Sequence, residues 1–382
     1  MAEVKEPLPV TPSVIQWARE RAGFSMEDAS KIFKKIAAWE SGESAPSYPQ
    51  LEQMAEKFKT PVAVFFFPKP PDVPSVEKSF RTLTAADFAA IPRTVRLFLR
   101  RGQVMQLNLA ELNDGKNPAP RLITRDIKVS PQTSLDVLAS EIRKYLGVTI
   151  EMQSSWKSTD KAMEAWRDAF ARVGIYVFKD AFHAKTYFGF CLYDDEFPII
   201  YVNNSCPKSR QIFTLFHELG HLLFHTSGID VLDDEFIRHL PANEQKIEVI
   251  CNGLAARLLV PDDVFDKLMQ GKKADRDTAA QLATYFSVSR EVIYRKLLDR
   301  KLIDAAEYSA AAKFWESQAK PTKESSGNFY NSRYAYLGPR YIDLAFTRYY
   351  QQRFDDLQLA EYLNLKPKNL QTFAEEFAGG GL

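Results

Sequence analysis

The sequence predicts a mostly helical α+β protein with one small antiparallel sheet. Apolar residues recur at helical spacing through most of the chain, beginning with a set of short helices in residues 11–67. Three short aromatic or β-branched runs, at residues 175–178, 188–193 and 198–202, break this pattern and predict the strands. A chain of 382 residues is too long for one core of ordinary size, so we expect several domains.

Four segments are expected along the chain. They are an N-terminal helical domain of helix–turn–helix type in residues 1–70, a linker and helical region in 71–150, a domain carrying the strands in 151–305, and a C-terminal helical extension in 306–382. The first boundary follows from the Pro-rich run at residues 68–74. Amphipathic patterns predict long helices at 92–114, 157–173 and 244–259, the last of them stopped by Pro261.

Composition is that of an ordinary soluble protein. Hydrophobic residues make up 45% and charged residues 26%, and the formal net charge is +1, so total charge gives no argument for a nucleic-acid or membrane partner. No secretory signal pattern or apolar run of transmembrane length is present, and the expected location is the cytoplasm. Cys191, Cys206 and Cys251 are isolated in sequence, which disfavours a disulfide framework; each is expected to be a core residue.

The most informative motif is H-E-x-x-H, formed by His217, Glu218 and His221. Two histidines four residues apart share one face of a helix at about 6 Å, close enough to hold one metal ion. Apolar residues flank the motif on both sides, and burying two histidines and a glutamate among them is costly unless their polar atoms are satisfied. The motif therefore predicts a catalytic zinc site with Glu218 as the catalytic residue.

The third protein ligand must come from another segment. His225 lies about 12 Å along the helix axis from His217, and Ser227 stands where a related motif would place a third histidine. Glu248, on the next apolar helix, is the best candidate. The alternatives lie in or next to the intervening polar connection: Asp230, Asp233, His239 and Glu244.

This set of residues suits peptide hydrolysis. Two neutral imidazoles and one carboxylate leave zinc enough positive charge to lower the pKa of a bound water to about 7. Glu218 would accept that proton and pass it to the leaving amine. The strands at 188–193 and 198–202 are expected to offer an edge to an extended peptide.

Other polar residues receive simpler interpretations. His225 is expected to support the site or the helix end, and His183 and His239 to be ordinary residues. Four arginines fall near one face of the helix at 92–114: Arg93, Arg96, Arg100 and Arg101. A solvated surface stripe is the first interpretation of this face, and a contact to phosphate or to an acidic partner is the alternative.

Residues 217–225 and 248–261 together resemble the ImmA/IrrE family of zinc metallopeptidases, and the resemblance extends over roughly residues 150–300. It implies a zincin-like domain in which His217, His221 and Glu248 are the zinc ligands and Glu218 is catalytic. It also implies an intracellular endopeptidase that acts in gene regulation by cleaving a partner protein, a DNA-binding helix–turn–helix repressor.

The N-terminal region resembles an Xre-type helix–turn–helix domain, through residues 15–25, 38–42 and 50–55. DNA is therefore a second expected partner. Only three residues separate Ile32 from Ile36, fewer than this type of domain carries, so the two helices are expected to run together. Residues 1–72 hold nine Lys and Arg against ten Asp and Glu, which does not predict a basic face.

Two other functions stay open at this stage. The protein could be a non-enzymatic DNA-binding regulator, or the antitoxin of a toxin–antitoxin pair, in which the peptidase-like domain is a sensor; a helix–turn–helix-like pattern at residues 277–302 favours this class. A purely structural zinc domain is disfavoured, because such sites close with a fourth protein ligand and none is evident. No membrane partner is expected, and a homodimer is left open.

Overall fold

The structure is a computed structural model that describes residues 8–72, 76–80, 85–130, 132–184, 186–231, 240–318 and 328–378. The chain forms two compact units. One contains the chain up to Lys78 together with Ala85–Arg100, and the other contains Ser79–Thr84 together with the chain from Arg101 onward. The predicted boundaries at residues 70, 150 and 305 remain predictions. Within the described residues, no helix combines the length and apolar character needed to cross a membrane.

The first unit is built from short helices around an apolar core. Its helices are α1 (Pro12–Arg21), α2 (Met26–Ile32), α3 (Ile36–Ser41), α4 (Tyr48–Phe58), α5 (Ala85–Ala90) and the first part of α6 (Arg93–Leu112). A buried ion pair joins α1 to α3, with Arg19 Nε 2.7 Å from Glu40 Oε1. Arg19 Nη1 also donates to the carbonyl of Phe24 at 2.8 Å, so this guanidinium links both helices to the loop that precedes α2.

The connection between α2 and α3 corrects the expectation that the two helices run together. Phe33 has extended backbone angles (φ −121°, ψ 91°) and ends α2, and α3 begins at Ile36. The Phe33 ring is buried and packs 6.1 Å from Trp39 and 5.7 Å from Phe58, measured between ring centroids. Burying this ring against α3 and α4 accounts for the break, because aromatic burial outweighs one further helical turn.

In the second unit the rest of α6 is followed, before the sheet, by α7 (Ile123–Asp126), α8 (Leu135–Leu146), α9 (Ile150–Ser155) and α10 (Thr159–Arg172). Ser158 caps α10 by accepting a hydrogen bond from the Lys161 N–H at 3.2 Å. Trp166 on α10 is buried and meets Phe216 edge to face at a centroid distance of 4.7 Å. This contact joins α10 to the helix that carries the H-E-x-x-H motif.

The sheet has four strands in the order β1-β3-β2-β4: β1 (Tyr176–Asp180), β2 (Tyr187–Leu192), β3 (Ile199–Asn203) and β4 (Ile229–Val231). It is mixed, because β1 runs parallel to β3 while β2 is antiparallel to both β3 and β4. The expectation of a purely antiparallel sheet is therefore wrong. The fourth strand, β4, lies in the connection that the sequence pattern marks as polar. It pairs with β2 on the side away from β3, and β1 pairs with β3 on the side away from β2.

The same order corrects the expected peptide-binding edge. Both β2 and β3 have a paired strand on each side, so neither offers a free edge along its length. All five residues of β3 are buried, as befits a central strand. Among the described strands, β1 and β4 are the edges of the sheet.

The motif helix, α11 (Lys208–Leu223), packs closely on the sheet and on α12 (Ala242–Leu259). A Cβ added at Gly189 in β2 would lie 2.5 Å from Thr214 Cγ2 of α11. A Cβ added at Gly220 would lie 2.7 Å from Cys251 Sγ of α12. These two glycines let α11 approach both neighbours more closely than any larger residue would allow.

The remaining helices complete the second unit. They are α13 (Asp262–Met269), α14 (Arg276–Phe286), α15 (Arg290–Asp299), α16 (Ala305–Gln318), α17 (Phe329–Leu337), α18 (Pro339–Tyr350), α19 (Asp356–Tyr362) and α20 (Leu370–Ala378). The helix pair expected at 277–302 is α14 and α15. Buried Arg167 of α10 donates to the carbonyls of Ala335 and Tyr336, at 2.7 and 2.9 Å, and so fixes the end of α17. The expected α+β class, with most residues in helices, is confirmed.

The side-chain ammonium group of Lys179 in β1 is buried in the folded protein. Its side chain is 1% exposed, and Nζ lies 3.0 Å from Glu164 Oε1. Burial, with repulsion from Arg167, lowers the pKa of Lys179 from 10.5 to about 8. The charged form is thus less stable in the folded protein than in the unfolded chain.

We expect Lys179→Met to raise the free energy of unfolding at pH 7 by about 1–2 kcal/mol. The penalty of burying the charge is complete below pH 8 and fades between pH 8 and 10.5, where the folded protein has already lost the proton that the unfolded chain still binds. Urea unfolding at pH 7 and pH 9.5 measures the difference, with the exposed Lys161→Met on α10 as the matched control. If Lys179→Met raises the free energy of unfolding as much at pH 9.5 as at pH 7, burial of the charge is not the cause.

Candidate metal centre

His217 and His221 lie one turn apart on α11 and point to the same place. Their Nε2 atoms are 3.2 Å apart, and both side chains are almost completely buried. Glu248 approaches from α12, with Oε2 3.4 Å from His217 Nε2 and Oε1 3.2 Å from His221 Nε2. One ligand atom from each of the three residues lies within 4.8 Å of the others, so the group could hold a metal ion. Two imidazoles and a carboxylate are a donor set typical of catalytic zinc sites.

The two alternative third ligands that the structure describes, Asp230 and Glu244, do not join this group. Asp230 is buried in β4, but its carboxylate accepts hydrogen bonds from Arg210 Nη2 at 2.6 and 2.8 Å and from Thr214 Oγ1 at 2.7 Å. Glu244 lies one turn before Glu248 on α12 and is not part of the three-residue group. Asp233 and His239 lie outside the described residues.

His225 has a supporting position rather than a place among the three donors. Its Nε2 is 2.9 Å from the carbonyl oxygen of Thr124, and its ring stacks on Tyr193 at a centroid distance of 4.8 Å. It therefore links the residues after α11 to α7 and to the loop after β2. His183 is also outside the metal-binding group.

Glu218 is the least satisfied polar group of the site. It is completely buried, and among the described residues neither carboxylate oxygen has a hydrogen-bond partner. Burial raises the pKa of Glu218, and the adjacent His221 and His217 oppose that rise. The Glu218 carboxylate thus has no partner in the described part of the chain, and it lies next to the three converging ligand atoms of His217, His221 and Glu248. This arrangement is expected where a metal ion and its water bind. The residues present thus fit a metal ion.

The electrostatics of the three donors also favour a cation. Burial alone would raise the pKa of Glu248, but His221 and His217 hold it well below its usual range. Burial opposes protonation of His217, yet Asp230 and Glu248 raise its pKa to about 9. The group therefore attracts positive charge, supplied by protons when no metal is bound. Metal binding would release those protons and should weaken as the pH falls.

Three supporting residues were not found by sequence reasoning. Asn252 Oδ1 accepts from His217 Nδ1 at 3.0 Å, in the tautomer that leaves Nε2 free for a ligand. A Cβ added at Gly228 would lie 2.6 Å from the His221 ring, so this glycine lets the backbone lie against the imidazole. Cys251 of α12 also lies beside His221. Asn252 could have been found, because it follows Glu248 by four residues and so shares its helix face.

Comparison with known proteins agrees with this geometry. Residues 170–298 match the family model of the IrrE N-terminal-like domain, a peptidase family, and this stretch includes all four predicted site residues. The radiation response metalloprotease IrrE of Deinococcus deserti is 34% identical over 110 residues, which are 28% of this chain and 38% of that protein. Its counterpart from Deinococcus radiodurans is 33% identical over 98 residues, or 25% and 30% of the two chains.

These similarities support a metallopeptidase domain of the ImmA/IrrE type in the middle of the chain. The chain spans well under half the length of the curated relatives it matches. The family model does not extend to residues 1–169, which contain the region that resembles a helix–turn–helix domain.

We expect Asn252→Ala to weaken zinc binding by about 10–100-fold, because the His217 ring loses the acceptor that orients it. Competition with a chelating dye measures the affinity. Asn252→Asp is the matched control, since its carboxylate keeps an acceptor in the same place and should preserve most of the affinity. Equal affinities of wild type and Asn252→Ala would show that the hydrogen bond has no part in metal binding.

Proposed function

We propose that this protein is a zinc-dependent endopeptidase that acts in gene regulation by cleaving a helix–turn–helix repressor. The observation that carries the proposal is the convergence of His217, His221 and Glu248 within 4.8 Å, next to the buried and unsatisfied Glu218. Among the described residues no fourth His, Cys, Asp or Glu joins the three. Three protein ligands with an open position distinguish a catalytic zinc site from a structural one.

Each residue has a separate role in this proposal. His217 and His221 would hold zinc through Nε2, and Glu248 would hold it through its carboxylate. Zinc, when bound, supplies Lewis-acid chemistry that polarises a peptide carbonyl and makes a water molecule more acidic. Glu218 accepts the proton of the attacking water at one of its carboxylate oxygens and returns it to the leaving amine. The burial that raises its pKa suits a base that must also release the proton.

The substrate is proposed to bind along the edge of β4. This strand pairs with β2 on one side, and the residue that leads into it, Gly228, lies against the His221 ring. An extended peptide added to that edge would pass beside the metal-binding group, with backbone hydrogen bonds giving affinity without a sequence requirement. Specificity for one repressor would then need contacts beyond this edge.

The regulatory part of the proposal has its own support. The two relatives are radiation response metalloproteases, which favours a protease within a regulatory response over one that digests proteins in bulk. A repressor substrate places the reaction in the cytoplasm. The near-neutral net charge gives no argument for a membrane partner, and it is compatible with a protein partner.

Removing the proposed third ligand should nearly abolish metal binding. We expect the zinc affinity of Glu248→Ala to fall by more than the roughly 10–100-fold that loss of a supporting residue causes. Glu244→Ala removes the same charge one turn away on α12 and should keep its zinc. Metal content measured by mass spectrometry after dialysis tests this pair. Full zinc in Glu248→Ala would reassign the third ligand.

Removing the proposed base should separate metal binding from catalysis. We expect Glu218→Gln to keep its zinc and to lose peptidase activity by about 100–10,000-fold, the usual contribution of a general base. The zinc-loaded wild type and variant are each incubated with the proteins of a lysate, and newly formed N-termini are labelled and sequenced. Cleavage products should appear with the wild type alone.

Two outcomes of that experiment would count against different parts of the proposal. Identical sets of new N-termini from wild type and Glu218→Gln would refute the peptidase activity. Products that form only with the wild type, but never from a helix–turn–helix protein, would support the peptidase activity. They would refute the proposal that its substrate is a helix–turn–helix repressor.

A second candidate is a non-enzymatic DNA-binding regulator or antitoxin, with the peptidase-like domain as a sensor. The observation in its favour is the first unit, where a three-residue turn keeps α2 and α3 as separate helices and the buried Arg19–Glu40 pair joins α1 to α3. Duplex DNA binding that depends on salt and sequence and is unchanged in Glu218→Gln, without any cleavage products, would favour this candidate.

A further inference from the structure

Four arginines gather at one place in the first unit: Arg21 of α1, and Arg93, Arg96 and Arg100 of α6. Arg100 Nη1 donates to the carbonyl oxygen of Arg21. The Arg93 guanidinium lies 3.3 Å from the centre of the Phe24 ring. A Cβ added at Gly23 (φ +74°) would lie 2.8 Å from Arg96 Nη2, so this side chain packs on the backbone before α2. We call these four residues the arginine cluster.

The cluster corrects the expectation of a solvated arginine stripe. Arg93, Arg96 and Arg100 are half-buried. Arg101, the fourth residue of the predicted stripe, belongs to the second unit and forms an ion pair with Asp180. The helix face therefore divides into three arginines of the first unit and one whose charge is already paired.

Acids balance the arginine cluster incompletely in the part of the chain that the structure describes. None of its four side chains forms an ion pair with a carboxylate there. The acid that acts on Arg93 is Asp28, whose carboxylate is already bonded to Ser25 and Lys31. Arg96 Nε is buried without a hydrogen-bond partner. Burial and repulsion from the other three lower the pKa of Arg100 to about 10.

Fold stability alone does not account for this arrangement. The C-terminal end of a helix carries about half a negative charge, which can offset part of one guanidinium, such as Arg100 at the end of α1. It cannot offset four. Arg19 of the same unit shows the usual arrangement, with both a carboxylate and a carbonyl as partners. Clustered guanidiniums without acids are the arrangement that proteins use to bind anions.

We propose that the arginine cluster binds a phosphate group, either in a nucleic-acid backbone or in a free phosphate ligand. The guanidinium group presents its N–H donors in a planar fork that matches two oxygens of a phosphate. Arg96 Nε supplies a donor for which no described residue is an acceptor. Three of the four residues lie outside residues 1–72, so the charge count of that region does not include them. The proposal does not depend on the peptidase activity.

The test compares the full-length protein with Arg96→Gln and Arg93→Gln. Lys57→Gln is the control, because it removes one positive charge from an exposed position of the same unit. Thermal unfolding is followed in inorganic phosphate and in chloride of equal ionic strength. We expect phosphate to raise the melting temperature of the wild type and of Lys57→Gln, and the phosphate affinity of each arginine variant to fall about tenfold or more.

A second measurement identifies the source of the phosphate. Binding of a fluorescent duplex DNA of mixed sequence is followed by anisotropy at several salt concentrations. If the cluster holds a nucleic-acid backbone, the wild type binds, inorganic phosphate competes, and each arginine variant lowers the salt slope by about one. Stabilisation by phosphate without any DNA binding supports a free phosphate ligand.

Two results would overturn the proposal. One is a wild type that phosphate stabilises no more than chloride, combined with equal DNA binding by all variants. The other is an Arg96→Gln protein that is less stable at every phosphate concentration but gains as much from phosphate as the wild type does, which would assign this arginine a purely structural role. If Arg96→Gln fails to fold, the same comparison with Arg93→Gln decides between the two roles.

Discussion

The close approach of α11 to α12 is the contact on which the site depends. Gly220 leaves room for the Cys251 side chain, so the two helices can meet at a distance that larger residues would prevent. That contact brings Glu248 within 3.4 Å of the first histidine and within 3.2 Å of the second. On its other side α11 packs on β2 at Gly189. The donor geometry is thus determined by backbone packing as well as by the donors themselves.

Buried charge has two different meanings in this protein. The buried guanidinium groups of Arg19 and Arg167 have protein partners. A carboxylate accepts from Arg19, and backbone carbonyls accept from Arg167. Glu218 and Arg96 have buried polar atoms without partners in the described part of the chain. The first kind stabilises the fold once it is formed. The second kind costs free energy in the folded protein, and this cost is the physical reason to assign ligands at both places.

The strands and helices differ in how far sequence pattern could locate them. Three of the four strands, the motif helix and α12 follow from local periodicity. The fourth strand, β4, has three residues in a polar stretch, too short for an alternation signal. Missing β4 led to the expectation of a free edge on β2. The sheet type was wrong for another reason: β1 pairs in parallel with β3, and local periodicity does not determine strand direction or partner. The break at Phe33 was missed for a related reason, because it depends on burial against α3 and α4 rather than on local preference.

The sequence by itself determined the chemistry available to this protein: two histidines and a glutamate at fixed helical spacing, and several candidates for a third donor after them. Helical periodicity is a local property, so residues four apart share a face in any fold. Only the tertiary structure decided which of several acids faces the histidines, because Asp230 and Glu248 differ in their partners and not in their chemistry. It also decided that Arg100 of α6 meets Arg21 of α1, a contact between residues 79 positions apart that no local pattern encodes.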